Sequence, residues 1–230
     1  MKFKVAVLAS AFLATGASAQ IVSNGSFETF TGAFAGDGGA QLTSASTTLT
    51  GWTIVGGEVA VLKTPNAYNL AASVGTNFID LAGYTNAGFP KGLSQLLNGL
   101  TVGQTYAFSM DLGLRNGACV DGGNNCHGPV QASATIGTTS QTFTEASAVA
   151  GNVWGTFGFD FVATGPSMTL TIDGVGLPSG NEFIGLDNVS VAPAVIGAVP
   201  EAETYALLLA GHRSVRLLPA IHTGPTLRSA

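Results

Sequence analysis

QTYAFSMDLGLR, residues 104–115, is the stretch that indicates how this chain folds. Apolar side chains stand at every second position, and small or polar residues separate them. Because successive side chains of a β-strand point to opposite faces, this alternation predicts a strand with one buried face. The buried face would consist of Tyr106, Phe108, Met110, Leu112 and Leu114. The same alternation recurs in WGTFGFDFVAT (154–164) and SMTLTID (167–173).

Further short apolar runs, separated by turn-forming residues, extend this pattern along the chain. They are GWTI, EVAVL, NFIDLAG, GLSQLL, VQASATIG and SQTFT. Glycine accounts for 32 of 230 residues and charged residues for only 9%, a composition that favours strands and tight turns over helices. About ten short strands in one domain predict an all-β fold, a two-sheet antiparallel β-sandwich of jelly-roll type.

The charge of the chain argues against one large class of partners. Residues 20–200 contain eleven acidic side chains and three basic ones, a net charge of −8. Nucleic-acid binding relies on clustered lysine and arginine side chains that neutralise phosphates. A body with three dispersed cations is therefore not expected to bind nucleic acid, and it suits a cation or a neutral ligand.

The first residues carry the pattern of a secretory signal peptide. Two lysines precede an apolar run over residues 5–13, and small residues follow at positions 17 and 19. We therefore expect residues 1–19 to be removed on export and a single domain to occupy residues 20–193. The alternative is a short buried helix of a cytosolic protein.

The other end of the chain begins like a membrane anchor and then departs from one. Val199-Pro200-Glu201 and the apolar run from Tyr205 to Gly211 resemble the PEP-CTERM sorting signal of exported proteins in Gram-negative bacteria. This run is far shorter than the roughly 20 residues that span a bilayer. We therefore interpret residues 194–211 as a degraded sorting signal and 212–230 as an aberrant, disordered tail. A reading-frame shift near Gly211 would produce it, and a natural amphipathic tail is the alternative.

Cys119 and Cys126 are the two cysteines of the chain, in the turn-rich stretch CVDGGNNC. In an exported protein their expected state is a disulfide that pins a loop. A metal site that includes His127 is the alternative, although it lacks a fourth ligand and the usual zinc-site spacing.

Two acidic residues near the ends of the domain need a stabilising partner. Asp187 shares its alternation with Val189 and Val191, so it is expected to face the core. Glu28 follows Phe27, the expected core anchor of the opening segment. A buried carboxylate requires a cation or several hydrogen-bond donors. If the first and last strands are neighbours, the two carboxylates can share a Ca²⁺ ion, and backbone N–H donors are the alternative.

Three motifs resemble the ends of galactose-binding-like jelly-roll domains, among them CenC-type carbohydrate-binding modules and a family of plant cell-wall proteins of unknown function. The motifs are NGSFE (24–28), Gly51-Trp52 and LDNVSV (186–191). The resemblance implies carbohydrate binding, and it implies a structural Ca²⁺ ion held by Glu28 and Asp187.

Sugar-binding surfaces combine aromatic rings that stack on pyranose rings with amides and carboxylates that bind the hydroxyl groups. Five residues in two loop-like stretches, TPNAYN and GYTNAGFP, fit this description: Tyr68, Tyr84, Phe89, Asn66 and Asn86. Trp52 and Trp154 are weaker candidates, because each stands beside apolar strand residues. For every one of these aromatics, the alternative is an ordinary half-buried side chain.

No catalytic motif accompanies these features. Residues 20–200 contain one histidine and no nucleophile elbow, metalloprotease motif or phosphate loop. Asp80, Asp111 and Asp160 are strand-borne carboxylates, and two of them could flank a glycosidic bond. Polar positions on the outer face of a sheet are the simpler interpretation.

The sequence therefore predicts a non-enzymatic, exported protein that binds a polysaccharide or a cell-surface glycan. A structural or adhesive matrix protein without a sugar pocket is the first alternative, and a glycoside-cleaving enzyme is the second. An exosortase-type sorting machinery is the expected partner of relatives with an intact signal. This chain is expected to be released from the cell surface, because its anchor is cut short.

Overall fold

The computed structural model describes residues 21–84, 88–116, 129–176 and 183–194. These residues belong to one of the two units into which the chain divides, residues 1–194. Several sequence-based predictions lie outside the described residues. They are the signal peptide, Asn86, the pair Cys119 and Cys126, and the sorting signal and tail beyond Ala194.

The described residues form eleven β-strands. They are β1 (Gly39–Thr43), β2 (Thr53–Val55), β3 (Glu58–Lys63), β4 (Asn77–Asp80), β5 (Lys91–Asn98), β6 (Thr105–Asn116), β7 (Val130–Ile136), β8 (Thr139–Glu145), β9 (Gly151–Val162), β10 (Ser167–Val175) and β11 (Gly185–Pro193). Within the same residues, a search for a helix able to cross a membrane finds none.

The strands assemble into two antiparallel sheets. The six-stranded sheet has the order β1-β3-β4-β11-β6-β9, and the five-stranded sheet has the order β2-β5-β10-β7-β8. The last strand, β11, pairs with β4 on one side and with β6 on the other, so it is a central strand. The predicted all-β sandwich of two antiparallel sheets, a jelly roll, is confirmed.

The core lies between the sheets and is built from the alternating residues of the long strands. All five apolar side chains predicted for the buried face of β6 are buried, and Leu170 and Ile172 of β10 belong to the same core. On edge strand β9, Phe161 is buried, whereas Phe157 and Phe159 are partly buried and contact Phe143 of β8. Burial of each large apolar side chain contributes about 2 kcal/mol, so this alternation is a major source of stability.

The opening segment, residues 21–28, packs against the closing strand. The Val189 amide donates to the Gly25 carbonyl at 2.9 Å, and Phe27 is fully buried. The Trp52 ring lies 5.5 Å from the Phe27 ring, and its indole N–H donates to the Asn24 carbonyl at 2.9 Å. The first and last segments of the domain are therefore neighbours, as the acidic residues had suggested.

Residues 64–76, which connect β3 to β4, cross the outer face of the six-stranded sheet, and we call them the strap. A second, smaller core lies beneath the strap and consists of Leu62, Leu70, Phe78 and Phe183, with Tyr68, Ala72 and Trp154 packed against it. The Trp154 indole N–H donates to the Ala71 carbonyl at 3.1 Å. The part of this face beneath the strap is thus covered rather than exposed to solvent.

Gly25→Ala tests the junction between the opening segment and β11. A Cβ atom at this position would overlap the Val189 carbonyl oxygen, which is rigid backbone. We expect the free energy of unfolding to fall by about 2 kcal/mol or more, measured by urea denaturation. Gly36→Ala is the matched control, since a Cβ atom there meets nothing within 4 Å. Equal stability of the two variants would contradict the proposed importance of this junction.

Candidate functional site

A cleft of about 490 Å³ lies beside edge strand β1. Its walls are formed by the 30–37 segment, by β1, by two hydroxyl residues of the following loop and by one tyrosine from beyond β4. The lining residues are Phe30, Gly32, Ala33, Ala35, Asp37, Gly39, Ala40, Gln41, Leu42, Ser46, Thr48 and Tyr84. The cleft therefore combines two aromatic rings with a carboxylate, a carboxamide and two hydroxyl groups.

Two tyrosines from different segments converge on Asp37. The Tyr68 hydroxyl, carried by the strap, donates to Asp37 Oδ2 at 2.7 Å. The Tyr84 hydroxyl lies 3.2 Å from the same oxygen. The Gly39 amide donates to Asp37 Oδ1 at 2.9 Å. The carboxylate is thus held from three sides, and the Tyr84 ring, 42% exposed, remains open to solvent.

Gly39 is the residue that allows Tyr84 to reach Asp37. A Cβ atom at Gly39 would overlap the Tyr84 hydroxyl oxygen. The absence of a side chain at this position of β1 leaves the space in which the phenol crosses the strand. A glycine within a strand often marks such a close approach.

The strap owes its local shape to Asn66. The Asn66 carboxamide donates to the Lys63 carbonyl at 2.8 Å and to the Leu70 carbonyl at 3.0 Å. Its oxygen accepts from the Tyr68 amide at 3.0 Å and from the Leu70 amide at 3.2 Å. Asn66 therefore folds the turn that carries Tyr68, and its amide is occupied by backbone partners.

Hydrogen bonding keeps Asp37 ionised, and burial keeps Tyr84 neutral. The Tyr68 hydroxyl bond, with the Gly39 amide bond second, lowers the pKa of the Asp37 carboxyl below its usual range. Burial and, after it, the negative charge of Asp37 raise the pKa of Tyr84 to about 12. At neutral pH the group is therefore a carboxylate that accepts hydrogen bonds from two phenols.

The four predicted ligand residues that the structure describes thus do not form one set. Tyr68 and Tyr84 meet at Asp37, where Tyr84 lines the cleft and Tyr68 packs against the second core, and Asn66 is a structural residue of the strap. Phe89 packs elsewhere, against Gly174 of β10, Gly176 just beyond it and the ammonium group of Lys91. Trp52 is buried in the core, and Trp154 is partly buried against the second core, which agrees with the structural alternative for both.

Two polar residues of the cleft, Asp37 and Gln41, were not predicted from the sequence. Both stand in the polar, glycine-rich stretch 36–46, where no periodicity separates a ligand-binding residue from an ordinary loop residue. Their relation to the tyrosines depends on the strap and on the turn after β4, which bring residues about 30 to 50 positions apart into contact.

Asp187 is buried, but it does not face the core as its alternation suggested. A register shift between Asp187 and Ser190 in the pairing of β11 with β6 interrupts the alternation. Leu186 and Val189 both belong to the core, and Asp187 lies on the outer face beneath the strap. The β-bulge places Asp187 on the face of the sheet opposite to the one that strict alternation predicts. Alternation in the sequence alone does not reveal such a bulge.

Backbone amides of the 73–77 segment bind both predicted metal ligands. Asp187 Oδ2 accepts from the Ser73 and Val74 amides at 2.9 Å, and Oδ1 accepts from the Asn188 amide at 2.7 Å. Glu28 is exposed, and its Oε1 accepts from the Thr76 and Asn77 amides at 2.8 Å. The Thr76 hydroxyl donates to Glu28 Oε2 at 2.8 Å.

This arrangement matches the hydrogen-bonding alternative for the two acids. Each of their four oxygens accepts at least one N–H or O–H group, and Ca²⁺ would have to compete with those donors. Among the described residues, no three His, Cys, Asp or Glu side chains are grouped so as to hold a metal ion. These contacts do not fit a Ca²⁺ ion, so the calcium site remains a prediction from the resemblance alone.

The pKa values of the two acids move in opposite directions. Burial raises the pKa of Asp187 to about 6, against the opposing effect of its three amide donors. Burial would also raise the pKa of Glu28, but the Asn77 and Thr76 hydrogen bonds together lower it. Glu28 is therefore a charged anchor of the 73–77 segment throughout the neutral range.

The strand aspartates are not arranged as a catalytic pair. Asp111 is buried beneath the strap, where its carboxylate accepts from the Ser73 hydroxyl at 2.6 Å and the Thr156 hydroxyl at 2.7 Å. Asp80 accepts from the Ala82 and Ile184 amides at 2.9 and 3.1 Å. Only Asp160 has the exposed outer-face position expected from the sequence, and Asp80 and Asp111 have structural roles instead.

Asp187→Ala is expected to lower the free energy of unfolding by about 2 kcal/mol, because two strap amides lose their buried acceptor. Asp160→Ala, at an exposed acidic position of β9, is the matched control and should change stability by less than about 0.5 kcal/mol.

Thermal unfolding with added Ca²⁺ and with EDTA accompanies both measurements. We expect the same midpoint in the two buffers. A midpoint that Ca²⁺ raises in the native chain, and not in a Glu28→Gln/Asp187→Asn variant, would instead establish the calcium site.

Asp80 predicts an unusual pH dependence of stability. Burial raises its pKa to about 7 in the folded protein, from an ordinary value of 3.8. The folded state therefore binds a proton more tightly than the unfolded state, and the free energy of unfolding falls as the pH rises from about 4 to about 7. Denaturation at several pH values should show this fall, and Asp80→Asn should reduce it, while the raised pKa of Asp187 accounts for a remaining fall of the same sign. A stability that increases over this range in the native chain would contradict the assignment.

Comparison with known proteins finds similarity at the level of structure only. No protein-family model and no curated protein sequence matches the chain. It is similar to an arabinose-bound MgGH51 α-L-arabinofuranosidase (13% identity, TM-score 0.48), covering 76% of this chain and 26% of that one. It is similar to TmCBM61 in complex with β-1,4-galactotriose (13% identity, TM-score 0.43), covering 77% of this chain and all of that one.

A third similar structure is the CBM22-1 xylan-binding domain of Xyn10C from Paenibacillus barcinonensis (19% identity, TM-score 0.39), with coverage of 67% and 92%. Carbohydrate-binding modules are thus frequent among the structural neighbours. The chain spans about a quarter of the arabinofuranosidase. Similarities with TM-scores below 0.5 do not identify a ligand for this chain.

Proposed function

We propose that this protein is a non-enzymatic carbohydrate-binding β-sandwich whose saccharide site is the cleft beside β1. The observation that carries the proposal is the convergence of Tyr68 and Tyr84 on Asp37, which lines that cleft together with Tyr84. It places an exposed aromatic ring next to a fixed, ionised acceptor, which is the combination that a sugar ring requires.

The apolar part of a sugar would stack on the Tyr84 ring. This ring is 42% exposed, and its position is defined because its hydroxyl is bound to Asp37. An aromatic ring held in place loses little conformational entropy when it binds a ligand. Phe30, which also lines the cleft, offers a second apolar surface.

The hydroxyl groups of a sugar would bind the polar residues of the cleft. Gln41, Ser46 and Thr48 provide both donors and acceptors, as hydroxyl groups of a neutral saccharide require. Asp37 contributes a negative charge, in a domain that is itself acidic. Neutral saccharides are therefore expected to bind in preference to uronic acids and sulfated sugars.

The cleft lacks the carboxyl pair of a glycosidase. Hydrolysis of a glycosidic bond uses two carboxyl groups, one of them a proton donor with a raised pKa. Among the described residues that line the cleft, Asp37 is the one acidic residue, and its pKa is lowered. This arrangement supports binding without cleavage.

The finer assignments rest on sequence patterns. Export through a signal peptide, a degraded PEP-CTERM signal once read by exosortase, and release from the cell surface are proposals of this kind. So are the disulfide between Cys119 and Cys126 and the structural Ca²⁺ ion. They agree with a role in extracellular polysaccharide or at a cell surface, and a matrix protein without a sugar site is the alternative.

Titration of the native chain with neutral and acidic oligosaccharides, by calorimetry and on a glycan array, tests the proposal. We expect binding of a neutral saccharide and loss of at least about tenfold in affinity in Tyr84→Ala. Phe157→Leu, at a partly buried aromatic of β9 outside the cleft, should bind as the native chain does. Unchanged affinity in Tyr84→Ala, or an equal loss in Phe157→Leu, would contradict the assignment of the site to this cleft.

Gly39→Ala tests the geometry of the site without removing any of its polar groups. The added methyl group displaces the Tyr84 hydroxyl from Asp37, so we expect weaker saccharide binding. Movement of the phenol away from Asp37 should also lower the pKa of Tyr84 in part, since burial is the largest cause of its rise and the charge of Asp37 the second, and ultraviolet titration of the phenols detects this change. Saccharide affinity equal to that of the native chain would contradict a role for the oriented tyrosine.

A further inference from the structure

A buried polar network lies behind the cleft. Lys91, at the start of β5 in the five-stranded sheet, is only 2% exposed. Its ammonium group donates to the Ala82 carbonyl at 2.9 Å and forms an ion pair with Glu58 Oε1 at 3.4 Å. Of the basic side chains that the structure describes, Lys91 alone is buried.

This network reaches both walls of the cleft. On one side, Glu58 Oε2 accepts a hydrogen bond from the Gln41 carboxamide, which lines the cleft on β1. On the other side, the Ala82 carbonyl belongs to the turn that leads from β4 to Tyr84. The Gly83 amide closes this turn by donating to the Asp80 carbonyl at 3.3 Å. Lys91 is therefore connected to Gln41 through Glu58, and to the Tyr84 turn through the Ala82 carbonyl.

Hydrophobic stability does not explain a buried ion pair at this position. Transfer of two charges from water is costly, and apolar residues of similar volume are often at least as stabilising. A lysine buried between two sheets is thus better explained by the positions in which it holds neighbouring residues. Two of these residues, Gln41 and Tyr84, line the proposed saccharide site.

We propose that Lys91, acting through Glu58, is a positioning residue that orients Gln41 and the Tyr84 turn on the two walls of the saccharide cleft. This inference rests on the proposed function, since it assigns a role to the cleft residues in binding. Lys91 and Glu58 do not contact the ligand themselves. They determine the direction of the Gln41 amide and the height of the Tyr84 ring above β1.

The test compares Lys91→Met with Lys91→Met/Glu58→Gln and with Lys63→Met. Methionine fills a similar volume, and the double variant removes both charges while keeping a carbonyl acceptor for Gln41. Lys63→Met makes the same change of charge at an exposed lysine. Two quantities are measured: the NMR signals of the Gln41 side-chain amide without ligand, and affinity for the saccharide identified with the native chain.

In Lys91→Met we expect displaced and averaged Gln41 amide signals and affinity about tenfold weaker. In the double variant we expect the Gln41 signals to return toward their native positions and part of the affinity to be restored. Lys63→Met should match the native chain. Thermal denaturation identifies any variant that fails to fold. If Lys91→Met does not fold, the double variant is compared with the native chain instead.

Unchanged Gln41 signals in Lys91→Met, or binding that weakens only in proportion to lost stability, would overturn this inference. If the native chain binds no saccharide, the proposed function fails. The Gln41 signals then still decide whether Lys91 orients this side chain.

Discussion

The segment 73–77 is the point on which the structure of the proposed site depends. Its backbone amides donate to Asp187 on the last strand and to Glu28 in the opening segment, and its Ser73 hydroxyl donates to Asp111 on β6. One short stretch of backbone therefore joins the beginning, the middle and the end of the domain. Because the strap ends in this segment, the same contacts fix the strap over the sheet, and with it the position of Tyr68.

Two constraints then meet at the cleft. The strap brings Tyr68 to Asp37 from one side, and the turn after β4 brings Tyr84 from the other, across the space left by Gly39. The buried Lys91 connects that turn to Glu58 and thereby to Gln41. Buried hydrogen-bond partners therefore hold the polar residues of the cleft in place. This arrangement pre-organises the proposed binding site, which does not have to rely on mobile side chains.

The sequence predicted the fold more completely than the site. The alternation in β6 identified a buried face correctly, because successive side chains of a strand point to opposite faces and the apolar set packs between the two sheets. The same reasoning placed Asp187 on the wrong face, since a bulge between Asp187 and Ser190 interrupts the alternation. Tyr68 and Tyr84 were predicted as ligand residues, but Asp37 and Gln41 were not. The sequence around an acidic residue in a loop does not indicate which tyrosine will donate a hydrogen bond to it.

The amino-acid sequence alone determined the all-β class, the two-sheet sandwich and the residues of its core, because these follow from the alternation of apolar side chains within single strands. Tertiary structure alone decided which polar residues meet. Asp37 and Tyr84 are 47 positions apart, and Ser73 and Asp187 are 114 apart. Such contacts depend on the order of strands in a sheet and on the path of a connecting strap. Neither is encoded in the periodicity of any one segment.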